Sequence, residues 1–348
     1  MMEKRKQYIM KKVLIIGGTG TISSPISKLL SEDKDVELYV LNRGLRKDNL
    51  GDSVHRIKGD IRNVSSELRE GLEDLYFDSV INFLIMNRED VKTNIELFKG
   101  KCDQFIFIST VVALNHQLSC NVDETLEYGN LYSNYGQNKE ECEKLFLEEK
   151  DFPITIVRPT QTYSNERIPL SLKGKTYWSV CSRMISGKEV IVHGDGQGVW
   201  AGTHASDFGR LFIPLVGRKE AIGEIYQIMN PQSYTWDMIY QTLANELGGV
   251  YRPVYISSEL LDGSRKYNWK ESIHGDKHFS NIFDIAKIRK LNPDFEFAID
   301  MKKGVKMFVE YMNSHPELKK EDPEFDRWCD DTIEKYRRFK ERFMEEME

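Results

Sequence analysis

The sequence predicts an α/β chain: a Rossmann-type, doubly wound parallel sheet with a smaller substrate-side domain toward the C-terminus. Three observations predict it. Strand-like apolar runs alternate with helical patterns through the first half, and repeated βα units build a parallel sheet with helices on both faces. A glycine-rich turn, Gly17-Gly18-Thr19-Gly20, separates the first such run from the first helical pattern. Beyond about residue 165 the alternation loosens into Pro, Gly and aromatic residues with short helices.

The first strand is Val13-Leu14-Ile15-Ile16, and the helix after the turn carries Ile22, Ile26, Leu29 and Leu30 on one face. Pro25 falls in its first turn, where a missing N–H costs little. Gly17 lets the chain turn tightly, and Gly20 lets the backbone approach a phosphate with no Cβ in the way. With Gly18, Thr19, Thr21 and Ile22 they form a pyrophosphate cradle at a helix N-terminus. Ser23 stands at the third glycine position and is small enough for close helix–strand packing. The second strand, 36–43, ends in Asn42-Arg43. NAD sites carry Asp or Glu at this strand end, gripping the ribose 2′-hydroxyl. A guanidinium pairs instead with a 2′-phosphate, so the cofactor is read as NADP in preference to NAD. Stacking on adenine, or exposure to solvent, is the other reading of Arg43.

Further strands are expected at 54–58, 78–84, 104–109 and 154–158, with helices at 88–99 and 135–150. Ligands of such sheets sit at the strand carboxyl ends, where Gly17, Arg43, Asp60, Thr110 and Pro159 fall. Residues 10–165 thus read as the NAD(P)-binding domain, with late strands contributed by about 190–232. Residues 166–348 read mainly as the substrate-side domain, with helices at 176–186 and 235–247. The tail, 321–348, reads as an amphipathic helix laid on the body by Phe325, Trp328, Ile333, Tyr336 and Phe339.

Composition excludes several classes. The net charge is −6 with no basic block in the body, so nucleic-acid binding lacks electrostatic support. The leader MMEKRKQYIMKK is basic without an apolar core and does not read as a signal peptide. No run reaches membrane-helix length. Five scattered cysteines read as reduced thiols in a cytoplasm, and seven histidines without HxxxH or HExxH spacing argue against a metal site.

Tyr135-Gly136-Gln137-Asn138-Lys139 places Tyr and Lys one helical turn apart on one face. An ammonium beside a phenol favours phenolate and lowers a pKa that starts near ~10. The pair can then exchange a proton with a substrate hydroxyl, while Lys139 also holds the cofactor ribose. Tyr132 is the competing phenol. Upstream, the strand Phe105-Ile106-Phe107-Ile108 ends in Ser109-Thr110, and Thr110 is placed to hold the substrate oxygen.

This order of motifs resembles the extended short-chain dehydrogenase/reductase family, in its NAD-dependent epimerase/dehydratase-like branch. The resemblance runs over nearly the whole chain. It implies a cofactor turn at Gly17–Gly20, an adenine-contacting segment at Gly59-Asp60-Ile61-Arg62, and a catalytic set of Thr110, Tyr135 and Lys139. It also implies that Val157-Arg158-Pro159-Thr160 closes over the nicotinamide and that Gln161 touches substrate. Ile191-Val192-His193-Gly194-Asp195-Gly196 and the tail Asp322-Pro323…Asp326…Cys329-Asp330 are further landmarks. A homodimer through the helices at about 88–100 and 135–150 is implied too.

Two departures shape the expected reaction. Dehydratases of this family carry Asp-Glu after the catalytic Thr, where this chain has Val111-Val112, which disfavours dehydration unless Asp123 or Glu124 supplies the acid. Epimerases of nucleotide sugars carry a diphosphate-clamping arginine where this chain has Trp200-Ala201. Arg167, Arg183 or Lys188 are its candidate substitutes, and Trp200 is a candidate to stack on substrate or to fill the core. The expected activity is hydride transfer at a carbinol of a sugar or nucleotide-sugar-like substrate, as oxidoreductase or epimerase. The alternatives are an NADP-dependent reductase of a non-nucleotide carbonyl compound, and a non-catalytic cofactor-sensing or RNA-associated protein.

Overall fold

A computed structural model describes residues 10–46 and 48–347. Residues 1–9 of the basic leader lie outside the described residues. Seven strands form one parallel sheet: β1 (Lys11–Ile16), β2 (Val36–Asn42), β3 (His55–Lys58), β4 (Ser79–Asn82), β5 (Phe105–Ile108), β6 (Ile154–Pro159) and β7 (Ile225–Ile228). Their spatial order is β7-β6-β5-β4-β1-β2-β3, every neighbouring pair parallel. The order reverses at β1, which pairs with both β2 and β4. That is the switch point where a crevice opens at the carboxyl ends.

Side chains alternate across the sheet, because successive strand residues point to opposite faces. Val13, Ile15, Val40, Ile106 and Ile108 pack with Ile26 and Leu30 of α1 (Ser23–Glu32), and with Phe208, Leu211 and Phe212 further along the chain. Leu14, Ile16, Leu41, Phe105 and Phe107 meet the other layer. That layer is α2 (Ser66–Glu73), α3 (Arg88–Phe98) and α4 (Asn134–Glu148), through Leu68, Leu72, Val91, Phe98, Cys142 and Phe146.

The expected late strands differ in one respect. Only β7 joins the large sheet, whereas Val190–His193 pairs in parallel with Pro253–Ile256 as a separate two-stranded sheet. It belongs to a second core built from Trp178, Cys181, Met184, Trp200, Trp236, Tyr240, Phe308 and Phe325. The tail is a helix, Pro323–Glu345, burying Phe325, Cys329 and Ile333 in that core. Phe339 and Phe343 are exposed, so the helix outruns the body it lies on.

The tail also explains two basic residues. Arg183 is buried, donating to Asp326 and Asp330 of the tail helix and to the Glu189 carbonyl at 2.8 Å. Lys188 donates to the same two carboxylates at 2.6 and 2.8 Å. Asp326→Ala combined with Asp330→Ala leaves the guanidinium buried without its counter-charge. The expected loss is about 1–3 kcal/mol, the cost of an unsatisfied buried polar group, read as a lower midpoint in urea melts. An unchanged midpoint refutes the clamp. No helix of the described residues is long and apolar enough to cross a membrane.

Candidate functional site

The glycine turn is organised by Ser23. Its hydroxyl donates to the Gly17 carbonyl at 2.7 Å and accepts the Gly20 N–H at 2.8 Å, tying both ends of the turn. Gly17 has φ +84°, a conformation that favours glycine, and a Cβ there would also collide with Leu84. The α1 helix starts with no side-chain cap, leaving its N-terminal dipole open to an anion. A cavity of about 710 Å³ lies against it, lined by Gly18, Thr19, Gly20, Thr21, Lys28 and Arg46 among others.

The β2 end is arranged differently from the sequence expectation. Asn42 uses its side-chain oxygen to accept the Gly44 N–H at 2.8 Å. Arg43 is exposed and lies 3.9 Å from Asp60. Ile61 is buried in the apolar layer under the sheet, so its side chain faces the core rather than a cofactor. The guanidinium that lines the glycine-turn cavity is Arg46, which the sequence reading passed over.

A second cavity, of about 460 Å³, adjoins the first at Thr21 and contains Ile22, Thr110, Tyr135, Thr160 and Gln161. Two close approaches bring Thr110 and Tyr135 there. Thr110 lies two residues beyond β5 and accepts the Val112 N–H at 3.2 Å, starting a short 3₁₀ turn, Val111–Ala113. Gly136 lets α4 settle on that turn, since a Cβ there would stand 2.4 Å from the Val112 carbonyl oxygen. The neighbouring Tyr135 lines the same cavity as Thr110.

The phenol is not the acidified group that the Tyr-x-x-x-Lys spacing predicts. Tyr135 as a whole is 40% exposed and lines the cavity. Protein crowding around its hydroxyl, followed by the Asp276 charge, pushes its pKa up to about 12, and only the Thr110 hydrogen bond pulls the other way. Lys139 is not among the causes. Its ammonium is buried, donates to the Ile85 and Ile108 carbonyls at 2.7 and 2.9 Å, and lies 5.7 Å from the Tyr135 ring centroid. Burial is also the main reason that Lys139 is pulled down to about 8.

Behind the site lies a buried ion pair. Glu143, one helical turn beyond Lys139, accepts from Arg158 through both its oxygens at 2.7–3.1 Å. It also accepts from Ser109 and, at 2.9 Å, from Tyr128. Burial opposes the Arg158 charge, and the Glu143 carboxylate more than offsets it, leaving the guanidinium pKa raised.

Other candidates fall elsewhere. Trp200 is fully buried and stacks on Trp236 at 5.7 Å, with its N–H donated to Gln161 Oε1 at 3.2 Å. It fills the second core and orients Gln161, and it does not line the cavity. Pro159 is buried in β6 and paired with Ile228. Tyr132 stacks on His274, away from the cavity. Asp123 accepts from Thr125, and Glu124 accepts the Gln227 N–H at 2.8 Å, so neither faces Tyr135. The carboxylate lining the cavity is Asp276, supplied by a π-type helix, Lys270–Lys277. A cluster such as Lys270-Glu271…Asp276-Lys277 has no sequence signal distinguishing it from a solvated helix face. Among the described residues no group of three His, Cys, Asp or Glu side chains is placed to hold a metal.

Comparison with known proteins places this geometry. The model of the NAD dependent epimerase/dehydratase family matches residues 13–228. The structure is similar to that of UDP-glucuronic acid 4-epimerase from Bacillus cereus in complex with NAD, with a TM-score of 0.68 at 19% identity, covering 88% of this chain and 98% of that one. It is similar also to dTDP-glucose 4,6-dehydratase from Bacillus anthracis in complex with NAD, with a TM-score of 0.67 at 17% identity over 88% and 98% of the two chains. The chloroplast stem-loop binding protein of 41 kDa b from Arabidopsis thaliana is 25% identical over an alignment of 304 residues that covers 83% of this chain and 76% of that protein. With the family model matching residues 13–228, more than half of the chain, this chain belongs to the NAD dependent epimerase/dehydratase family.

Proposed function

We propose that the chain is an NAD(P)-dependent oxidoreductase or epimerase acting at a carbinol of a sugar-like substrate. The observation that carries this is the convergence of Thr110 and Tyr135 on one cavity that meets the glycine-turn cavity at Thr21. The turn fits a dinucleotide: a Cβ at Gly20 would meet only Ser23, and α1 presents an uncapped N-terminus beside it. Gly17 to Ile22 would hold the pyrophosphate and Lys139 the ribose nearest the reaction. The cofactor, when bound, supplies a nicotinamide carbon that takes up or returns a hydride.

The chain's own residues handle the proton. Thr110 holds the substrate oxygen, and Tyr135 exchanges the hydroxyl proton as the carbon–hydrogen bond is broken or remade. Lys139 keeps a positive charge below the phenol, fixed by two backbone carbonyls. Asp276 is the one carboxylate lining the cavity. Thr110 is followed by apolar Val111 and Val112, which supports redox or epimerisation over loss of water.

NADP is the preferred cofactor on this reading. Arg46, Arg56, Lys58 and Asp48 line a cavity of about 430 Å³ beside Asn42 and Gly44; Arg56 is paired with Asp48 at 2.7 Å, so Arg46 and Lys58 are the cations that suit a 2′-phosphate. NADP is expected to bind at least tenfold tighter than NAD, and Arg46→Ala to erase that preference, as read by fluorescence titration of the reduced cofactors. Preference for NAD overturns the NADP reading, and binding of neither overturns the hydride-transfer reading.

The helices α3 and α4 are the proposed homodimer face, although Arg88–Glu141 and Lys99–Glu149 ion pairs already join them within the chain. A second reading, binding of structured RNA, has the relative named as a stem-loop binding protein in its favour. Tight, salt-sensitive retardation of an RNA stem-loop is the result that selects it.

A further inference from the structure

We propose that the cavity beside Tyr135 takes a substrate bearing a phosphate monoester, held by Arg167, Lys173 and Lys277. This rests on the hydride-transfer reading of the same cavity and names its substrate class.

All three cations line the cavity, and Asp276 is its one carboxylate, so the lining has an excess of positive charge. Arg167 and Lys173 are gathered over one ring: the guanidinium lies 5.8 Å and the ammonium 4.9 Å from the Tyr177 centroid. Their hydrogen bonds go to neutral groups. Arg167 donates to the Tyr177 hydroxyl at 2.8 Å and to Thr21 Oγ1 at 3.2 Å, and Lys173 to the Gly174 carbonyl at 3.3 Å. Neither has a carboxylate within ion-pair distance among the described residues. Lys277 donates to the Ser272 carbonyl at 2.9 Å and lies 3.3 Å from the Asp276 carboxylate next to it. Burial, then the charges of Arg167 and Lys277, lower the Lys173 pKa, which places the three groups within each other's field. Like charges brought together at the mouth of a half-enclosed cavity destabilise the chain unless an anion joins them.

The other walls carry unsatisfied polar atoms. Trp269 Nε1 and Thr160 Oγ1 are buried without a hydrogen-bond partner, and both residues line this cavity. Such groups are rare in folded chains and call for a partner. They offer one donor and one hydroxyl to the rest of a polar, hydroxylated molecule.

The arrangement favours a monoester over the diphosphate of a nucleotide sugar. A diphosphate diester spreads its two charges over two phosphorus centres and calls for donors strung along it. A monoester concentrates two charges on three terminal oxygens, which matches cations converging on one ring. No further cation extends the row: among the described residues the cavity is lined by no basic side chain beyond these three, and Arg183 and Lys188 are tied to Asp326 and Asp330.

The test is calorimetric binding to the full chain, with glucose 1-phosphate, UDP-glucose, glucose and inorganic phosphate as probes. Glucose 1-phosphate is expected to bind, glucose to show no binding, and inorganic phosphate to compete. Arg167→Met and Lys173→Met are each expected to weaken glucose 1-phosphate by about 10–100-fold, the range of a hydrogen bond to a charged group. Arg167 is exposed, so its variant keeps the fold, and Lys173→Gln serves as the second variant. Tighter binding of UDP-glucose than of glucose 1-phosphate, equal binding of glucose, or indifference to both substitutions overturns the proposal. The readout is independent of turnover: failure to bind either nicotinamide cofactor, with phosphate-ester binding intact, removes the hydride-transfer reading and leaves the anion site standing.

Discussion

Tyr135→Phe is expected to lower kcat by about 10²–10⁴-fold, the usual contribution of a positioned acid–base group. kcat/KM should fall in parallel, because the proton moves only in the transition state. The fold should survive, since Tyr135 is 40% exposed and lines the cavity. Cofactor affinity and melting temperature are therefore expected to match the wild type. The pH profile adds a second readout. Lys139, held down to about 8 by burial, is charged at neutral pH and loses its proton as the pH rises through about 8. Wild-type turnover should accordingly decline on the alkaline side of about 8, while the Tyr135 phenol, pushed up to about 12, rests protonated, ready to give its proton to a carbonyl oxygen, and the oxidative direction draws on its phenolate. Activity of Tyr135→Phe within a few-fold of wild type removes Tyr135 from the chemistry.

The second large effect is on stability. Glu143→Met leaves the Arg158 guanidinium, 1% exposed, without a counter-charge, and an uncompensated buried charge costs about 3–5 kcal/mol. Replacing both partners with methionine should cost less than either single change, because no buried charge remains. Urea denaturation of the two singles and the double forms the cycle, and a Glu143→Met value within about 1 kcal/mol of wild type, small against that range, defeats the assignment. The same pair adjoins the site. Glu143 accepts from Ser109, which precedes Thr110, and follows Lys139 by one turn on α4. The milder Glu143→Gln is therefore expected to change activity as well as stability.

The sheet was legible because its signals are local. Alternation along Val13–Ile16 and Phe105–Ile108 separates the two faces, and the turn, Thr110 and Tyr-x-x-x-Lys sit at fixed places relative to those strands. What sequence could not supply depends on long-range contact. Asp276 and Lys277 reach Tyr135 from more than a hundred residues away, inside a charged segment with no apolar rhythm. Trp200 looked free to stack on substrate only while its partner Trp236 was out of sight. Arg183 and Lys188 were plausible anion ligands until Asp326 and Asp330 closed on them. The depressed phenol failed for an energetic reason: spacing places Lys139 near Tyr135, but the direction of a pKa shift depends on burial, which spacing does not encode.

The tail clamp has a consequence for biosynthesis. Asp326 and Asp330 stand 143 and 147 residues after the arginine they neutralise. A ribosome therefore delivers the parallel sheet, complete at Ile228, well before it delivers the carboxylates that Arg183 needs. During that interval the nascent substrate-side lobe carries a cation it cannot yet bury, together with the apolar surface that Phe325, Cys329 and Ile333 will cover. A nascent chain stalled before residue 323 should accordingly bind chaperones and be cut by proteases in this lobe, while its sheet is already resistant.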